Sequence, residues 1–118
     1  MPRFEVQFYE TGNGECPVED FILGLDMKLR VKLVGLLDIL EEQGNLLREP
    51  YSKYLDDGIF EIRCKVGSNI SRVLYFFYDQ GKIILTNGFI KKTQKTPPEE
   101  LKLAKARRND YMKRMDVR

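Results

Sequence analysis

At 118 residues the chain is close to the commonest size of one domain, so residues 1–118 are expected to form a single domain around one core. A composition that is 42% hydrophobic, 11% aromatic and 32% charged excludes a disordered, collagen-like or purely coiled-coil chain. Formal charge is only +2, but residues 1–58 carry −6 (six Lys/Arg against twelve Asp/Glu) and residues 59–118 carry +8 (fourteen against six), which points to one acidic and one basic face.

Residues 3–9 alternate, with Phe4, Val6 and Phe8 on one side and Arg3, Glu5 and Gln7 on the other, as in a half-buried strand. The run 11–14 is turn material, and Pro17 followed by Glu19 and Asp20 suits the first turn of a helix. From Pro17 to about Gln43 one apolar stripe recurs at helical spacing: Ile22, Leu25, Leu29, Leu33, Leu36, Leu37 and Leu40. A break at Gly24 or at the Leu25-Asp26 step makes this a helical hairpin, and Gly44 closes it. The stripe reads as core packing. A connection through Glu49-Pro50-Tyr51 leads to a turn at Asp56-Asp57-Gly58.

Three strands are predicted next, at 59–66, 70–78 and 82–90, joined by tight turns as an antiparallel meander. The middle one is apolar on both faces, as a central strand should be. Thr96-Pro97-Pro98-Glu99 reads as a capping box that opens a last helix of about 18 residues, with Leu101, Ala104, Tyr111 and Met115 toward the sheet and Arg108 interrupting the stripe. The expected fold is therefore α+β, in the order β-α-α-β-β-β-α, with a small mainly antiparallel sheet flanked by helices.

The chain has no histidine, which removes Ser-His-Asp and Cys-His nucleophiles and most zinc ligand sets. Cys16 and Cys64 lie far apart without metal-ligand spacing and read as small buried hydrophobes. No apolar run approaches the roughly 20 residues needed to span a bilayer, and MPRFEVQF contains no secretory core. A cytoplasmic protein is expected, with no metal, no cofactor and no membrane attachment.

The informative cluster is cationic. Arg63 and Lys65 project from one face of the 59–66 strand, and Arg72 lies across a short turn from them. Long charged side chains are seldom buried alone, so Arg72 either pairs with Glu61 across the strands or lines a cleft. Lys91, Lys92 and Lys95 follow the last strand, just before a helix N-terminus that also favours anions. Together these cations would suit consecutive phosphates. RNA cleavage by a 2′-hydroxyl needs a base, charge on the phosphate and an acid for the departing oxygen. Without histidine a lysine would serve as base or acid, Glu61 is a second candidate base, and the arginines can only donate. Tyr75, Phe77 or Tyr78 could stack an unpaired base, or simply pack the core.

Three strings carry a resemblance: Leu55-Asp56-Asp57-Gly58-Ile59-Phe60-Glu61-Ile62-Arg63, then Arg72-Val73-Leu74-Tyr75-Phe76-Phe77, then Asn87-Gly88-Phe89-Ile90-Lys91-Lys92-Thr93-Gln94-Lys95-Thr96-Pro97. In order and spacing they resemble the phage-derived, HigB-like branch of the RelE/ParE toxin superfamily, over roughly residues 50–108. The resemblance implies a type II toxin–antitoxin toxin that cuts messenger RNA, commonly on the ribosome and without a metal. It also implies a HigA-like helix-turn-helix antitoxin as partner. On this reading Arg63, Arg72, Lys91 and Lys92 bind the phosphate and stabilise the transition state, with Arg72 at the scissile phosphate. Glu61 is a candidate base, and Lys65, Lys95 and Tyr75 belong to the RNA track. The chain lacks the histidines of some HigB toxins and the tyrosine that RelE-like toxins carry after the lysines. Its modest net charge suits a protein that leans on the ribosome rather than on bulk RNA affinity. The rival expectations are a ParE-like, gyrase-binding toxin and a non-catalytic module that only holds an antitoxin.

Overall fold

The computed structural model describes residues 4–91 and 95–116. Strand β1 (Glu5–Phe8) leads into helices α1 (Pro17–Leu23) and α2 (Met27–Gln43), then a single 3-10 turn (Gly44–Leu46). Four strands follow, β2 (Ser52–Asp56), β3 (Ile59–Val66), β4 (Asn69–Tyr78) and β5 (Lys82–Ile90), and helix α3 (Pro98–Asp116) completes the chain. The architecture is α+β, as expected, but the order corrects the reading from sequence. The sheet has five strands, in the order β1-β5-β4-β3-β2, and β2 was not anticipated. Its string Ser-Lys-Tyr-Leu-Asp is short and polar because it runs along an edge, where one side of the strand faces solvent. Strands β2 to β5 form the antiparallel meander, and β1 joins β5 in parallel.

The hairpin break falls where Asp26 caps α2, its carboxylate accepting the Leu29 amide at 3.0 Å. The apolar stripe of α1 and α2, Ile22, Leu25, Leu29, Leu33, Leu37 and Leu40 among it, is buried against Ile62, Cys64, Val73, Tyr75, Ile83 and Leu85 of the sheet. Gly44 ends α2 at φ +53, where a Cβ would stand 2.0 Å from the Phe4 ring, so both conformation and space demand glycine.

The opposite face of the sheet meets α3. Ala104 and Tyr111 pack there with Tyr9, Ile59, Leu74, Phe76, Ile84 and Phe89. Two ion pairs tie the helix to the β2–β3 corner, Lys105 to Asp56 at 2.6 Å and Arg108 to Asp57 at 2.8 Å, and Arg114 pairs within the helix with Asp110 at 2.7 Å. Arg108, which interrupts the apolar stripe, is thus the clasp onto the β2–β3 turn. Glu99 and Glu100 in the first turn and Lys113 and Arg114 in the last complement the helix dipole.

Candidate cationic site

Register decides which side chains share a face. Across the α3 side of the sheet, Glu61 pairs with Leu74 and Leu74 with Asn87; one row further, Arg63 pairs with Arg72 and Arg72 with Phe89; beyond that, Lys65 pairs with Ile70. Lys91 extends this last row, its amide donating to the Ile70 carbonyl at 3.1 Å. Helix α3 starts over the Asn87 row, whose Nδ2 donates to the Glu100 carbonyl at 3.2 Å and to Glu100 Oε1 at 2.9 Å. The two rows bearing Arg63, Arg72, Lys65 and Lys91 therefore lie past the helix N-terminus.

Glu61 organises the centre. Its Oε1 accepts the Arg63 Nε–H at 2.5 Å, and its Oε2 accepts the Thr96 hydroxyl at 2.6 Å and lies 3.7 Å from Arg72 Nη1. Glu61 and Arg72 have no solvent exposure, whereas the Arg63 side chain keeps 16%. Burial pushes the Arg72 guanidinium below its ordinary pKa; Glu61 opposes that shift, and Arg63 adds to it. Of the two fates open to Arg72 from sequence, the structure shows the cross-strand pair with Glu61.

That placement corrects several expectations. Arg72 does not reach a phosphate in this arrangement, because no part of it meets solvent. Glu61 has both carboxylate oxygens engaged and stands as an organiser rather than an open base. Thr96 does not cap α3, which begins at Pro98; its hydroxyl goes to Glu61 instead. Tyr75 is 1% exposed on the α1–α2 side, with its hydroxyl bonded to Ser52, so it offers no ring to a base. Phe77 packs edge-on to Phe4 and Phe60 on that same side, and the Tyr78 hydroxyl donates to Asp116 at 3.3 Å, far along α3. Lys65, Lys91 and Lys95 are exposed. Lys92 lies outside the described residues.

Two contributors escaped the sequence reading. Thr96 was masked by its resemblance to a helix cap. Lys32, on the polar side of α2, donates from Nζ to the Lys65 carbonyl at 2.6 Å and so brings a helix cation to the end of β3. Its only signal was a lysine amid exposed positions, which is indistinguishable from an ordinary solvated face. Neither cysteine is poised as a nucleophile: Cys64 is fully buried, and burial pushes both thiols up. Among the described residues no three His, Cys, Asp or Glu side chains converge as metal ligands, and no helix is long and apolar enough to cross a membrane.

The geometry is thus an α+β sheet with a cationic row at one end, and the comparisons with known proteins supply the class. Residues 20–109 match the model of the phage-derived protein Gp49-like family, which covers most of the chain. The chain belongs to that family, one of RelE-like, toxin-like proteins. No curated protein matches it.

Proposed function

We propose that this protein is the toxin of a type II toxin–antitoxin pair, of the HigB-like kind, and that it cuts messenger RNA on the ribosome in the cytoplasm. The observation that supports this reading is the pair of cationic rows: Arg63 beside Arg72, with Lys65 and Lys91 on the next row of the same face. In the proposed reaction the 2′-oxygen attacks the adjacent phosphorus and the bond to the 5′-oxygen breaks, leaving a cyclic phosphate and a 5′-hydroxyl. Arg63, the arginine with solvent access, stabilises the crowded phosphate. Glu61 and Arg72 act as positioning residues, since Glu61 holds the Arg63 Nε at 2.5 Å. With both Glu61 oxygens engaged, proton transfer falls to the lysines, one taking the 2′-hydroxyl proton and the other supplying the 5′-oxygen. No cofactor takes part, and a HigA-like helix-turn-helix antitoxin is the proposed neutralising partner.

The complete burial of Arg72 and Glu61 favours a second reading, a toxin or antitoxin-holding module that binds without cutting, as ParE-like gyrase poisons do. Translation of a reporter message in vitro, followed by primer extension, separates the two. The nuclease reading expects cuts on ribosome-bound message with the wild type and a loss of at least about 100-fold in cutting with Arg63→Ala, the scale of one lost transition-state donor. Uncut message with the wild type overturns it, and a gyrase supercoiling assay then tests the rival.

A further inference from the structure

Strand β2 does not run the full length of its neighbour. Its last pairing is Ser52 with Ile62, after which the Tyr51 carbonyl takes the Arg63 amide at 2.8 Å and the chain turns away. The remainder of β3 is left open at its side, and a cleft of about 290 Å³ forms between it, the 50–51 corner and α2. Leu36 and Ile70 contribute apolar surface, while Lys32, Arg63 and Lys65 contribute three cations. Tyr51 stands at the cleft with 49% of its surface exposed, yet its backbone is held at both ends, its amide donating to Arg48 at 3.0 Å and its carbonyl accepting from Arg63. An exposed ring on a fixed backbone, beside three cations, is the combination that single-stranded nucleic acid uses: aromatic stacking for a base and basic side chains for the phosphates on either side. The volume lies at the lower end of small-ligand sites, about 300–1,000 Å³, and so suits one base rather than a stacked pair.

We infer that this cleft is a nucleobase subsite, in which Tyr51 stacks one unpaired base of the RNA next to the cut while Lys32 and Lys65 hold the flanking phosphates. The inference rests on the nuclease reading and deepens it, because Arg63 belongs to both the cleft and the cationic row. It replaces Tyr75, buried beneath the helices α1 and α2, with a ring that a base can reach. It also carries the RNA track from the sheet face around its border onto α2.

The test uses the full chain and fluorescein-labelled single-stranded hexaribonucleotides of A, C, G or U, followed by anisotropy across a salt series, alongside the primer-extension assay. Tyr51→Ala is expected to weaken binding of at least one homopolymer by roughly 5- to 100-fold, the range of one lost base stack, with the salt slope unchanged. Tyr51→Phe keeps affinity within about twofold. Lys32→Ala is expected to lower the slope of log affinity against log salt by about 0.7, one phosphate's worth for a single strand. The cut-site pattern on message broadens with Tyr51→Ala. If the wild type binds or cuts RNA and Tyr51→Ala does so with the same affinity and the same sites, the subsite is wrong while the nuclease stands. A wild type that neither binds the oligonucleotides nor cuts message overturns both, and one that is inert toward RNA but poisons gyrase assigns the cleft to a protein partner.

Discussion

Glu61 carries more of the site's architecture than any cation does. It sits without solvent exposure among Arg63, Arg72 and Thr96, and removing a buried ion's counter-charge is costlier than removing an exposed pair. Glu61→Ala leaves the Arg72 charge buried without its carboxylate, so urea unfolding should show a loss of about 3–5 kcal/mol. Thr96→Val takes away a single hydrogen bond to that carboxylate and should cost about 1–2 kcal/mol. Equal losses from the two substitutions would show that Glu61 is not the organiser. The sequence contained this pair as one of two options for Arg72, and nothing in a single chain could choose between them. Burial is a property of what packs over the strand, here Thr96 among it, whose hydroxyl reaches Glu61.

At the level of elements, Gly88 shows how a motif residue can be a packing residue. It sits opposite Val73 on β5, and a Cβ there would come within 2.4 Å of the Phe21 ring from α1. The glycine of the Asn-Gly-Phe string therefore makes room for α1 to lie on the sheet. Gly88→Ala should destabilise by about 1–3 kcal/mol through overpacking, and a Phe21→Ala background should remove most of that penalty. A double-mutant cycle by urea titration reads the coupling, and purely additive losses would refute the contact's role. Helix positions were legible because the leucine stripe of α2 faces one layer only, so its period shows in the sequence. The meander was legible from its turns. The face assignment within β4 was not, because both sides of that strand are covered, and alternation between two apolar sets says nothing about which points where. Sequence alone therefore leaves the Tyr75 ring open to either face, and β2 is silent in it because an edge strand needs little apolar pattern.

For the whole molecule, the two layers of helices leave the centre of the sheet dry, and that has a consequence at high pH. Burial pushes the Tyr75 phenol up to about 12, with the Ser52 hydrogen bond pulling weakly the other way. In the unfolded chain a tyrosine ionises near pH 10. Between about pH 10 and 12 the unfolded state thus releases a proton that the folded state keeps, so stability must fall as pH rises across that window. The loss attributable to Tyr75 is on the order of 2–3 kcal/mol. Tyr75→Phe should flatten this part of the curve, and absorbance at 295 nm should lose its last-titrating step; an unchanged titration would place Tyr75 in contact with water. The charge division read from the two halves of the chain survives folding at least locally. Glu19, Asp38 and Glu41 of the first half line the groove beside β1, while Arg63 and Lys65 of the second half stand at the far border of the sheet, where Lys32 from the first half joins them.

The borders themselves govern how copies of the chain treat one another. A sheet grows by recruiting strands at its rims, and long, flat, apolar rims are the ones that polymerise. Here one rim is β1, four residues long, and the other is β2, five residues with a bulge between Tyr54 and Asp56 and an exposed Lys53. On the part of β3 that β2 leaves bare, the Lys65 carbonyl is already taken by Lys32. A newly made copy therefore finds little template on its neighbours, and the chain can build up in quantity with little tendency to seed cross-β fibrils.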